Sequence, residues 1–117
     1  MLNKCDQEGT VQKAEIPIDI KEIINRFLLK LSESNIKIQK AVLFGSYAKK
    51  IHGEYSDIDL ALVSPDFTGN PYDDNEKIRD AKFAVSYNIE AHTYRADEFN
   101  ESDPFVREIL KHGIVIS

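Results

Sequence analysis

Residues 41–63 read AVLFGSYAKKIHGEYSDIDLALV, and this stretch determines most of what the chain can be. One apolar run ends just before the pair Gly45-Ser46, and a second apolar run begins around Asp57 and Asp59. Alternate residues of a strand point to the same side of a sheet, so the two aspartates are predicted to share a face. Two carboxylates on one strand face lie close enough to repel each other unless a cation lies between them. Magnesium prefers oxygen ligands of this kind. The pair therefore predicts a magnesium site.

The glycine-serine turn predicts an anion site beside these carboxylates. A turn after a buried strand offers backbone N–H groups, and Ser46 adds a hydroxyl. A simpler interpretation is that Gly45 ends the strand and Ser46 caps a short helix over residues 47–51, but a capped helix N-terminus also binds anions. For Asp57 and Asp59 the simpler interpretation is a solvated strand end, which does not explain their place within an apolar run. We therefore expect a site for magnesium and a phosphate-bearing ligand.

The composition is that of an ordinary folded protein. The chain has 117 residues, of which 42% are apolar and 30% charged, and this length suits one domain with its own core. The net charge of −5 argues against a general nucleic-acid-binding surface. The single cysteine, Cys5, cannot form an internal disulfide and fits a reducing cytoplasm, where we expect the protein to lie. No apolar run reaches membrane-spanning length, and the N-terminus lacks the apolar segment of a signal peptide.

The spacing of apolar residues predicts an α/β or α+β domain. Residues 1–16 are polar and have no clear period, so we expect a flexible N-terminal arm there and one domain over residues 17–117. An apolar stripe between Ile20 and Leu31 predicts a helix, with Asp19 as its cap. Further apolar runs and turn signals predict strands at 38–44, 57–64, 88–94 and 114–116, and helices that open near Asp73 and at Asp103-Pro104.

The order of these elements predicts a small sheet flanked by helices. Helices and strands alternate along the chain, as they do in two-layer α/β and α+β domains. The link between the first two strands is about a dozen residues, near the lower limit for a parallel crossover, so an antiparallel or mixed sheet is expected.

The two-part motif resembles the nucleotidyltransferase superfamily, which includes DNA polymerase β and kanamycin nucleotidyltransferase. The resemblance lies in Gly45-Ser46, a gap of ten residues, and Asp57-x-Asp59, with an apolar strand beside each part. The short chain and the wording GSYAKK…SDIDLALV are similar to the minimal nucleotidyltransferases, the MNT proteins of bacteria and archaea. The order of elements extends the resemblance over residues 19–116.

The resemblance implies a reaction and the residues that carry it. A nucleoside monophosphate, most readily AMP from ATP, would pass from an NTP to a hydroxyl group, and pyrophosphate would leave. Gly45 and Ser46 would hold the triphosphate. Asp57 and Asp59 would bind one or two Mg²⁺ ions, which can clamp the attacking and leaving oxygens.

The family's third carboxylate, on a later strand, is usually aspartate, and here the sequence departs from the pattern. Glu90 is the only acid within the third strand and is our candidate for this catalytic and metal-binding position. Glutamate is one bond longer than aspartate, so the geometry at the metal or the position of the base would differ. The alternative interpretation of Glu90 is that it is simply an exposed residue on a sheet face. Asp66, Asp73 and Asp74 are rivals that loop and helix-start preferences explain better.

Three further polar residues accompany the motif. Lys49 falls where similar proteins often carry a basic residue and would contact phosphate, although most lysines are simply solvated. Ser56 precedes the carboxylates, as in the family's wording, and would orient Asp57. His92 shares a strand face with Glu90, but a lone histidine is more often structural.

Two classes of function follow from the resemblance. In the first, the protein is a magnesium-dependent nucleotidyltransferase whose acceptor is a small molecule or a partner protein, because the chain has no room for the substrate domain of larger relatives. MNT proteins often pair with a helical HEPN protein and silence this toxin by transferring AMP to it. In the second, the protein is a non-catalytic antitoxin or nucleotide-binding module that acts by occluding a helical partner. A nucleotide sensor without turnover is a further alternative.

Overall fold

The computed structural model describes residues 16–48, 57–86 and 88–116. The chain order of elements in these ranges is α1, β1, β2, α2, β3, α3, β4. Their bounds are α1 Ile18–Glu33, β1 Lys40–Phe44, β2 Ile58–Val63, α2 Pro71–Val85, β3 Ile89–Tyr94, α3 Pro104–His112 and β4 Ile114–Val115. A short helix was expected over residues 47–51, but residues 47 and 48 belong to a turn that spans residues 45–48. The rest of the expected helix lies outside the described residues.

The four strands form one mixed sheet in the order β3-β2-β1-β4. β1 is antiparallel to both β2 and β4, whereas β2 and β3 are parallel. The parallel pair is joined by α2, whose length is that of an ordinary crossover helix. The predicted α/β fold with a small mixed sheet and flanking helices is therefore confirmed.

One face of the sheet is packed against α1 and α2 and forms the main core. It presents the alternate residues of β2, Ile58, Leu60 and Leu62, each at most 1% exposed. The apolar stripe of α1 lies on it, with Ile24, Phe27 and Leu31 fully buried. Ile16 is 5% exposed and belongs to the same core.

The opposite face, which we call the carboxylate face, is only partly covered. Val42 of β1 and Ala61 of β2 pack there against Ile109 of α3 in a smaller apolar cluster. Asp57 lies exposed and Asp59 half-buried at the start of β2 on this same face. The site thus occupies one end of a sheet face whose other part is closed by α3.

Helix starts show where local sequence signals were sufficient and where they were not. The helix α3 opens at Asp103-Pro104, as predicted, and Asp103 caps it by accepting a hydrogen bond from the Phe105 N–H at 2.9 Å. The cap predicted at Asp19 is wrong, because α1 begins at Ile18 and Pro17 provides no side-chain cap. The first turn of α1 holds Asp19 instead, where a negative charge still favours the helix dipole.

The second helix also begins earlier than the sequence indicated. It starts at Pro71, and the Asn70 side chain caps it by accepting a hydrogen bond from the Tyr72 N–H at 3.0 Å. Proline at the first helical position is already restricted to a helical φ, so it opens a helix more effectively than the acidic run that follows.

The predicted arm over residues 1–16 lies, apart from Ile16, outside the described residues. The division of the chain at residue 17 therefore stays a prediction. None of the helices in the described part of the chain combines the length and the apolarity that a membrane span requires.

Candidate active site

Asp59 lies at the centre of the candidate site. On β2 its register partners are Phe44 on one side, in β1, and Glu90 on the other, in β3. Residues paired across neighbouring strands share a face, and the strands lie about 4.8 Å apart. The structure therefore brings Glu90, the sequence candidate for the third carboxylate, beside Asp59.

Asp57 completes a group of three carboxylates. It lies two residues before Asp59 and directly precedes Ile58, the first residue of β2, with its side chain exposed. Partial burial raises the pKa of the Asp59 carboxyl above its ordinary value; His92 lowers this pKa, while Asp57 and Glu90 raise it. A carboxyl that is costly to ionise among like charges is typical of a functional site rather than of a solvated surface.

Gly45 packs directly against Asp59. Its φ is 76°, in the left-handed region that glycine adopts without strain. A Cβ built at this position would overlap Oδ2 of Asp59 and lie 3.1 Å from its Cγ. The glycine is thus needed for two reasons, its backbone conformation and the close approach of the Asp59 carboxylate.

Of the other residues predicted to contact the triphosphate or to orient Asp57, only Ser46 lies in the part of the chain that the structure describes. Ser46 follows Gly45 in the turn over residues 45–48 and is half-buried, at the end of β1 beside the carboxylates. Lys49 and Ser56 lie outside the described residues, so their roles stay predictions.

The donor chemistry of the site fits a hard divalent cation. Asp57, Asp59 and Glu90 offer only carboxylate oxygens, the ligands that Mg²⁺ prefers. Among residues 16–48, 57–86 and 88–116, no three acidic, histidine or cysteine side chains converge closely enough to form a metal-binding cluster. Asp57, Asp59 and Glu90 are the residues that would hold a cation, and this assignment stays a prediction.

An aromatic cluster, not anticipated from the sequence, borders the carboxylates. The ring centroids of Phe44 and His92 are 5.1 Å apart, and the Phe105 ring lies 5.7 Å from Phe44 and 5.6 Å from His92. We call Phe44, His92 and Phe105 the aromatic cluster. Phe105 lies on α3 with 47% of its surface exposed. His92 was expected to be structural, and the structure adds that it acts electrostatically on Asp59.

The acidic rivals lie at the far end of the sheet. Six residues of β2 separate them from Asp57, a distance of roughly 20 Å at about 3.3 Å per residue. Asp66 accepts a hydrogen bond from the Lys37 N–H at 2.8 Å. Asp74 is 1% exposed and accepts the N–H bonds of Thr68 and Gly69 at 2.7 and 3.0 Å. These carboxylates organise the loop before α2.

The sequence offers a weak signal for the aromatic cluster. His92 follows Glu90 by two residues on a predicted strand, so the two side chains were expected to share a face. Phe105, in contrast, is separated from Phe44 by most of the domain, and no local spacing brings them together. Their contact depends on the path of α3 across the sheet.

Comparison with known proteins agrees with this geometry. A family model described as "Nucleotidyltransferase domain" matches residues 20–116. A crystal structure described as "the toxin-antitoxin with AMP-PNP" superposes with a TM-score of 0.53 at 20% identity, covering 78% of this chain and 69% of that one. At this identity the likeness concerns the fold alone. No curated protein matches the sequence.

Proposed function

The chain belongs to the nucleotidyltransferase domain family, and from this membership we propose a magnesium-dependent transfer of a nucleoside monophosphate, AMP from ATP, to a hydroxyl group. The observation that carries the proposal is the placement of Asp59, with Asp57 directly before its strand, Glu90 in register on β3 and Gly45 packed against it. Placing a partly buried carboxylate beside like charges costs stability, so such an arrangement is typical of a functional site.

Each residue has a distinct part in the proposed reaction. The turn at Gly45 and Ser46 binds the triphosphate through backbone N–H groups and the serine hydroxyl. The oxygen of the acceptor hydroxyl forms a bond to the α-phosphorus, the bond from that phosphorus to the bridging oxygen breaks, and pyrophosphate leaves. The hydroxyl proton passes to the carboxylate of Glu90. Asp57 and Asp59 would hold Mg²⁺, which would supply charge neutralisation at the phosphates.

The acceptor that we favour is a hydroxyl of a partner protein. The structural neighbour is a toxin–antitoxin structure, and this supports a partner although the likeness concerns the fold alone. We propose that the partner is a helical HEPN-type toxin, that AMP transfer silences it, and that the reaction takes place in the cytoplasm.

A second candidate function is that of a non-catalytic module. Glu90 favours it, because the resembling proteins usually carry aspartate at this position. In that case the protein would bind MgATP or a helical partner through the same face without transferring a group, as an antitoxin acting by occlusion.

The experiment that separates the two is label transfer from α-³²P-ATP with magnesium in lysate of the source cell. The comparison variant is the Asp57→Asn, Asp59→Asn double mutant, and a matched control with the same charge change is Asp73→Asn, Asp80→Asn on the exposed side of α2. A labelled acceptor with wild type and control, but not with the double mutant, supports the enzyme, and mass spectrometry identifies the acceptor. No label with any of the four NTPs, from folded protein, leaves only the binding module.

A further inference from the structure

A cavity of 320 Å³ opens beside the Gly45 turn. Its walls are Phe44 and Gly45 from the end of β1 and residues Phe105, Glu108, Ile109 and His112 of α3. The α3 residues are spaced so that they lie on one face of the helix. The cavity therefore lies between the proposed triphosphate turn and the helix that crosses the carboxylate face.

The walls of this cavity differ chemically from the phosphate turn. Phe44 and Phe105 meet nearly at right angles, with an angle of 88° between their rings, and Phe105 keeps about half of its surface exposed. A nucleobase can stack on an exposed aromatic ring of this kind, and any of the bases can do so because each has a π-face. The volume also lies within the range of about 300–1,000 Å³ that small-molecule sites occupy.

The polar rim makes another anion an unsuitable occupant. Glu108 lies one helical turn from His112, with 3.7 Å between its Oε1 and the histidine Nε2. A carboxylate repels phosphate and can only accept hydrogen bonds, so it suits the hydroxyl or amino donors of a nucleoside.

We propose that this cavity is the nucleoside subsite of the enzyme, with the base stacked on Phe105 and the triphosphate at Gly45 and Ser46. The inference rests on the proposed function. Continuity carries it: Gly45 belongs both to the cavity wall and to the phosphate turn, so a single NTP spans the two.

The test separates the nucleoside from the phosphates. Isothermal titration calorimetry with magnesium compares ATP with inorganic tripolyphosphate, which occupies the phosphate turn alone. We expect wild type to bind ATP more tightly, and Phe105→Ala to weaken ATP binding roughly 10-fold while leaving tripolyphosphate unchanged, as the loss of one base-stacking contact would. Phe105→Leu keeps an apolar side chain of similar volume without the ring face, so it should lose most of the same affinity.

Phe83→Ala is the matched control. Phe83 lies on α2 with 48% of its surface exposed, against 47% for Phe105, and it is remote from the cavity walls. Its removal should leave both affinities as in wild type. Circular dichroism spectra like that of wild type are required of every variant, and Phe105→Leu preserves the test where Phe105→Ala fails to fold.

Three results would overturn the proposal, each in a distinguishable way. Equal affinity of wild type for ATP and tripolyphosphate removes the nucleoside subsite and leaves the proposed function intact. Unchanged ATP affinity in Phe105→Ala with slower label transfer assigns the cavity to the acceptor instead. Binding of neither compound by wild type contradicts the proposed function itself.

Discussion

Replacing Gly45 with alanine tests whether the glycine holds Asp59 in its working position. Two costs can be separated from the structure. A non-glycine residue at φ 76° costs roughly 1–2 kcal/mol. The new Cβ also overlaps Oδ2 of Asp59, and since this oxygen is the end of a flexible side chain, Asp59 can rotate away at a cost of about 0.5–1.5 kcal/mol. The free energy of unfolding should therefore fall by roughly 1.5–3.5 kcal/mol.

Gly69 offers a control with the same backbone strain. Its φ is 93°, and a Cβ there would lie 3.1 Å from Oε2 of Glu98, on the exposed loop before α2 and far from the carboxylates. Gly69→Ala should cost about 1–2 kcal/mol and leave the site unchanged. The difference between the two variants isolates the displacement of Asp59.

Urea unfolding measures stability, and the rate of label transfer from α-³²P-ATP measures function. We expect Gly45→Ala to transfer label about 100-fold more slowly, because a catalytic group displaced by about 1 Å loses that much, while Gly69→Ala transfers at the wild-type rate. A wild-type rate in folded Gly45→Ala would refute the reasoning, since Asp59 would then act without the placement that Gly45 allows. Equal slowing in both variants would refute it too, by tracing the loss to backbone strain.

Two further perturbations test the charges of the fold. Because the folded pKa of Asp59 is raised, its ionised form opposes folding above that pKa, and this penalty is absent below the unfolded pKa. Asp59→Asn should therefore have a higher Tm than wild type at neutral pH in chelator-treated buffer, with the difference shrinking as the pH falls through the folded pKa and absent below about 4; a gap that is constant with pH would contradict this. Asp74→Ala should lower the free energy of unfolding by about 2–4 kcal/mol in urea titrations, because the N–H groups of Thr68 and Gly69 lose a buried charged acceptor. Asp73 is exposed, so Asp73→Ala should change the free energy of unfolding by well under half of the change caused by Asp74→Ala.

Periodicity and turn chemistry were sufficient for the parts of the fold that are local. The period of two along β2 predicted a shared face for Asp57 and Asp59, and in the structure Asp57 is near enough to raise the pKa of Asp59. The start of α3 at Asp103-Pro104 was also predicted, since it depends only on neighbouring backbone.

The sequence by itself determined the fold class and the carboxylate pair, and the tertiary structure decided what surrounds that pair. Strand order and register depend on which faces the helices bury, so only the sheet places Glu90 opposite Asp59. The packing of Gly45 on Asp59 and the contact of Phe105 with the aromatic cluster join segments far apart in the chain. The local spacing of residues does not predict such contacts, because they depend on how helices and strands pack together and not on the secondary structure of any one segment.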